Sequence, residues 1–84
     1  MNKKLLKALI KKTDLIRFSW ESNTIPLWCV EYLNDDSDRE QELKYILGDG
    51  HSNYDANRGI YLYKAIRNQF KLIAVIKGGK IRTV

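Results

Sequence analysis

The stretch Asp55-Ala-Asn-Arg-Gly-Ile-Tyr-Leu-Tyr-Lys-Ala-Ile-Arg-Asn-Gln69 decides the fold. Read as a helix capped by Asp55, it places Ala56, Ile60, Tyr63 and Ile66 on one face, with Phe70 continuing the stripe. Read as a strand, Ile60 to Ile66 is rich in β-formers, and Gly59 disfavours a helix interior. The helical reading is preferred here and gives the order αββααββ. The strand reading gives αββαβββ. Either order makes a single small α+β domain spanning residues 1–84, with a mostly antiparallel sheet packed by helices.

The rest of the chain is easier to read. Residues 2–12 form an amphipathic helix with Leu5, Leu6, Leu9 and Ile10 on one face and Asn2 as its cap. Leu15–Trp20 and Ile25–Leu33 are two strands joined through Glu21-Ser22-Asn23-Thr24. Alternation groups Trp28, Val30 and Tyr32 on one side of the second strand. Cys29, on the other side, is expected to be a small buried residue. Ser37 with Glu40 fits a capping box for a helix running to about Leu47, with Leu43, Ile46 and Leu47 as its apolar stripe and Gly48 as its stop. Residues 48–54 are a polar loop. Phe70–Ile76 and Ile81–Val84 are strands joined by Lys77-Gly78-Gly79-Lys80, a hairpin turn.

Size and composition exclude several classes. Eighty-four residues, 44% hydrophobic and 30% charged, fit one globular domain. No run of about 20 apolar residues is present, so no membrane-spanning helix is expected. Lys7 interrupts the apolar run after Lys3 and Lys4, which argues against a secretory signal. The single cysteine allows no internal disulfide, and a cytoplasmic setting is expected. Phe, Tyr, Met, Ile, Asn and Lys supply 33 residues and Gly, Ala, Arg and Pro only 15. That bias fits an AT-rich genome and a bacteriophage or mobile-element accessory protein.

The charge map is the most informative feature. Residues 1–20 hold six cations and one acid, residues 21–55 nine acids and two cations, and residues 56–84 seven cations and no acid. The formal net charge is +5. Folding the acidic middle against the basic ends would neutralise part of this. The last block has no acid of its own, however, and a polyanion such as RNA is the expected partner. Arg58, Lys64, Arg67, Lys71, Lys77, Lys80 and Arg82 are the candidate cations there. Tyr61 is a candidate stacking residue, with Tyr63 beside it. Lys3, Lys7 and Lys11 form a second basic stripe, four residues apart, whose mutual repulsion needs an anion or the acidic block to offset it. A host regulatory or defence protein, blocked by binding, is the other expected partner.

Other chemistry is thinly supported. Asp35, Asp36, Asp38 and Glu40 suit a helix N-terminus better than a cation site. Asp49, His51, Asn53 and Asp55 alternate as in a calcium loop, but Tyr54 and Ile60 stand where that loop needs Gly and Glu. One Cys and one His do not make a zinc site. No cofactor is expected. The segment Lys71-Leu-Ile-Ala-Val-Ile-Lys-Gly-Gly-Lys-Ile-Arg-Thr-Val84 resembles the final hairpin of small ribonuclease toxins of the barnase, colicin and RelE kind. That resemblance covers 14 residues and implies roles for Arg82 and Thr83. Read from the residues themselves, a ribonuclease would use His51 as base, Lys64, Arg67 or Arg82 to stabilise phosphate charge and Tyr54 or Thr83 to assist. Binding without catalysis is the preferred expectation, and a ribonuclease is the alternative.

Overall fold

A computed structural model describes residues 2–22, 25–47 and 59–84, with the side chains of residues 20–28 left out. The order is α1 (Lys3–Lys11), β1 (Leu15–Ser22), β2 (Ile25–Tyr32), α2 (Asp36–Leu47), β3 (Gly59–Ile66), β4 (Gln69–Lys77) and β5 (Lys80–Thr83). The domain is α+β, and its order is αββαβββ. The helix expected over 55–69 is therefore corrected for residues 59–66, which are a strand. The physical reason is the sheet itself. β3 lies between β1 and β4, so its backbone groups pair on both sides, and Ile60 and Leu62 alternate into the core. Tertiary pairing outweighs the helical spacing of its apolar residues.

The five strands form one antiparallel sheet in the order β2-β1-β3-β4-β5. Both helices cover one face. Leu6 and Ile10 of α1 and Ile46 of α2 pack on Ile16, Ile60, Leu62, Ala74 and Ile76 of the sheet, with Leu33 at the margin. Leu6, Ile16 and Leu62 are fully buried. Each such side chain contributes about 1.5–3 kcal/mol by leaving water.

The caps explain where the helices start. Asn2 accepts from the Leu5 N–H at 3.1 Å, as expected. For α2 the cap is Asp35, which accepts from the Asp38 N–H at 2.8 Å, and not Ser37. Asp38 in turn accepts from the Asn34 N–H at 2.9 Å. The helix consequently begins earlier than the capping-box reading placed it.

Two turns set the hairpins. Gly78 and Gly79 both have positive φ, 60° and 74°, which glycine adopts without steric cost. Arg67 opens the turn between β3 and β4 with φ 58°, a conformation that costs an L-residue about 1–2 kcal/mol.

A bulge interrupts β4. Leu62 pairs with Ala74 and Tyr63 with Leu72, so Ile73 is the extra residue. The slip exchanges the faces of β4. Ala74 and Ile76 point to the helices, but Leu72 and Phe70 share the opposite face with Tyr63. Ile73 packs against the core.

Asp14 fastens the layers. Its carboxylate accepts from Arg39 Nη2 at 2.9 Å and from the Ala65 N–H at 2.8 Å. Its backbone N–H donates to Tyr63 O, and its carbonyl accepts from the Leu33 N–H. Arg39 Nε also donates to Thr13 O at 3.0 Å. One acid thus joins the α1–β1 link, α2, β3 and the end of β2.

Cys29 is exposed, contrary to expectation. It lies on the helix-side face by its pairing with Phe18. But β2 is an edge strand, and its position there leaves the thiol in solvent.

Candidate nucleic-acid interface

Strand register assigns the face opposite the helices. One row crosses all five strands through Val30, Arg17, Tyr61, Val75 and Arg82. A second row runs through Tyr32, Leu15, Tyr63 and Leu72. Ser19, Gly59, Lys77 and Lys80 form a third. Among the described residues, no helix covers this face.

Aromatic and cationic groups meet there. The Arg17 guanidinium lies 5.0 Å from the Tyr61 ring centroid and 5.7 Å from that of Tyr63, a cation–π contact with both. Tyr32 and Phe70, from strands that are not neighbours, meet at 6.0 Å between ring centroids. They are 61% and 48% exposed, and Val30 is 46% exposed. Soluble domains seldom leave such side chains together in water without a partner. Gly59 makes room for the arrangement, since a Cβ there would come within 2.8 Å of Tyr61 Cε2.

The electrostatics are one-sided. Among the residues whose side chains are described, this face carries Arg17, Lys77, Lys80 and Arg82 and no carboxylate, while Glu21 holds a register position of the same parity toward the far end of β1. The acids of α2 lie in the helix layer on the other side.

The structure sorts the residues expected from the sequence. Tyr61, Lys77, Lys80 and Arg82 come together on the open face. Tyr61 and Tyr63 are not core residues. Lys64 and Lys71 pair with each other near the end of the β3–β4 hairpin, on the helix-side register, and Arg67 sits in its turn. Lys3, Lys7 and Lys11 belong to α1. Lys7 and Lys11 line a groove with Asp36 and Glu40 of α2, so the acidic segment offsets that stripe. Arg82 and Thr83, adjacent in β5, project to opposite faces and do not converge. His51, Arg58 and Tyr54 lie outside the described residues, as does the loop read over 48–54. Among the described residues no cluster of His, Cys, Asp and Glu is placed to hold a metal ion, and no helix is long and apolar enough to cross a membrane.

Sequence reasoning missed Arg17, Tyr32 and Phe70 as members of the site. Tyr32 carried a signal, because alternation already grouped it with Val30. Arg17 and Phe70 carried none. Arg17 belongs to the first basic block, and only strand order brings it beside Tyr61. Phe70 reaches the face through the bulge.

Comparison with protein families, curated proteins and solved structures finds no match to this chain.

Proposed function

We propose that the protein binds single-stranded RNA on the open face of its sheet and acts by binding, as an accessory factor, rather than by catalysis. The observation that carries this reading is the coincidence of Tyr61, Tyr63, Tyr32 and Phe70 with Arg17, Lys77, Lys80 and Arg82 on one uncovered face. Aromatic rings stack on bases that are unstacked and splayed, while cations contact the backbone. A duplex hides its base faces, so the rings gain nothing from it. That chemistry selects single strands over duplex DNA.

The experiment compares a single-stranded RNA oligonucleotide with a duplex of the same sequence by fluorescence anisotropy. Tighter binding of the single strand is expected. Tyr63→Ala, with its fold checked by circular dichroism, should weaken it by about 1–3 kcal/mol for the lost stacking contact. Equal affinity for duplex, or no binding at low salt, overturns the reading. A pull-down from bacterial lysate with and without RNase adds a second decision. Loss of partners after RNase supports RNA, and one protein recovered regardless of nuclease points instead to a protein target.

A further inference from the structure

At the β2 edge, the margin of the open face meets an acidic groove of about 290 Å³. Glu31, Tyr32, Leu33, Asp38, Gln41 and Glu42 line it. Glu31 comes from β2, and Asp38 and Glu42 from successive turns of α2. Among the described residues no cation lines the groove. Glu42 and Glu31 line this groove together, and Glu42 Oε2 is buried without a hydrogen-bond partner. Carboxyl groups gathered in one groove, one of them with a buried oxygen, disfavour their joint ionisation, and a proton held between two of them relieves it.

We propose that the Glu31–Glu42 carboxyl pair is a proton-operated latch that docks α2 on the end of β2. With the proton in place, Glu42 donates to Glu31 and the helix closes on the strand. Loss of the proton sets two carboxylates against each other, with Asp38 one helical turn away and no cation among the described residues of the groove to screen them.

The chemistry puts the release near neutrality. Burial first, then the hydrogen bond to Glu31 and the negative charges of Glu31 and Asp38, push the Glu42 carboxyl up to about 8 from its ordinary 4.5. A carboxyl raised in the docked state binds its proton more tightly there than in the open state. Docking is therefore firmest at low pH and weakens as pH rises from about 4.5 toward 8. Tyr32 lines the same groove and packs its ring on Phe70. Release of α2 thus reaches the margin of the open face. The latch stands independently of what that face binds, whereas its effect on RNA affinity rests on the proposed function.

The test follows hydrogen-exchange protection of the α2 amides in the full chain from pH 6 to 9, corrected for intrinsic exchange, together with the melting temperature. In the unmodified protein the opening equilibrium of α2 should rise about tenfold over that range, a value reduced for the partial exposure of Glu42. Glu42→Gln keeps the shape and removes the titration, so its α2 protection should be flat. Glu31→Gln, which keeps Glu42 but removes the facing charge, should shrink the effect. Equal pH dependence in the unmodified protein and Glu42→Gln overturns the latch, and so does a flat profile in the unmodified protein. RNA affinity is measured on the same samples. If no RNA binds at any pH, the nucleic-acid reading fails, while the exchange data still decide the latch.

Discussion

Salt dependence gives the sharpest reading of the open face. Arg17, Lys77, Lys80 and Arg82 are the cations that register places there. If each neutralises one phosphate of a single strand, log affinity should fall against log salt with a slope of about −2.8, or roughly −0.7 per contact. Raising salt from about 50 to about 200 mM then weakens binding about fiftyfold. Lys77→Gln with Lys80→Gln removes two contacts, so the slope should halve to about −1.4 and the same salt step should cost only about sevenfold. Both lysines are exposed and flank the Gly78–Gly79 turn, so neutralising them leaves the core intact. Lys7→Gln with Lys11→Gln is the control. Those residues face Asp36 and Glu40 across the inter-helix groove and should leave the slope unchanged. Lys64→Gln, on the helix-side register, should change it less than the Lys77–Lys80 pair. Anisotropy titrations at four salt concentrations measure all of these. A slope near zero, or a control pair that lowers the slope as much as Lys77 and Lys80 do, refutes the assignment of phosphate contacts to this face.

Further perturbations test the scaffold. Asp14→Ala leaves the Ala65 N–H and the Arg39 guanidinium without their shared acceptor, and should cost about 2–3 kcal/mol in urea unfolding. Gly59→Ala forces a Cβ against Tyr61 Cε2 at 2.8 Å and Ser19 Oγ at 3.0 Å. It should destabilise by about 1–3 kcal/mol and weaken RNA binding together with stability, because the Tyr61 ring is displaced from Arg17. Arg67→Gly relieves the left-handed backbone at φ 58° and should leave the urea midpoint equal or higher. Gly79→Ala, at φ 74°, should lower it by about 1–2 kcal/mol. Between pH 6 and 8 the unmodified protein should lose stability to a part-exposed Glu42 that binds its proton more tightly when folded. Glu42→Gln should narrow that loss, as thermal melts would show.

Periodicity made most elements legible because each signal is local. The α1 face, the Leu43–Ile46–Leu47 stripe and the Gly-Gly hairpin each rest on residues within one or two turns of chain. Residues 59–66 resisted for a reason of the same kind. Ile60, Tyr63 and Ile66 fit a helical spacing as well as Ile60 and Leu62 fit a strand, and the tie is broken by pairing with β1 and β4, which no local window contains. The cap of α2 was ambiguous because Asp35 and Ser37 both have the chemistry of an N-cap, and only backbone geometry chooses between them.

The open face was harder to read, since three long-range facts build it. The order β2-β1-β3-β4-β5 inserts β3 beside β1, and that insertion alone brings Arg17 of the first basic block onto Tyr61 of the last. The bulge at Ile73 reverses the alternation of β4. Strict alternation would have put Phe70, Leu72, Ala74 and Ile76 on one apolar face under the helices. Instead Phe70 turns outward to meet Tyr32. Packing of both helices on the other face then draws the acids of α2 to that side. Part of the chain's charge thereby becomes a separation across the sheet, with the α2 carboxylates beside the α1 lysines in the helix layer and Arg17, Lys77, Lys80 and Arg82 among aromatic rings on the other face. Such a separation needs no conspicuous motif in the sequence, because it is made by strand order and one extra residue.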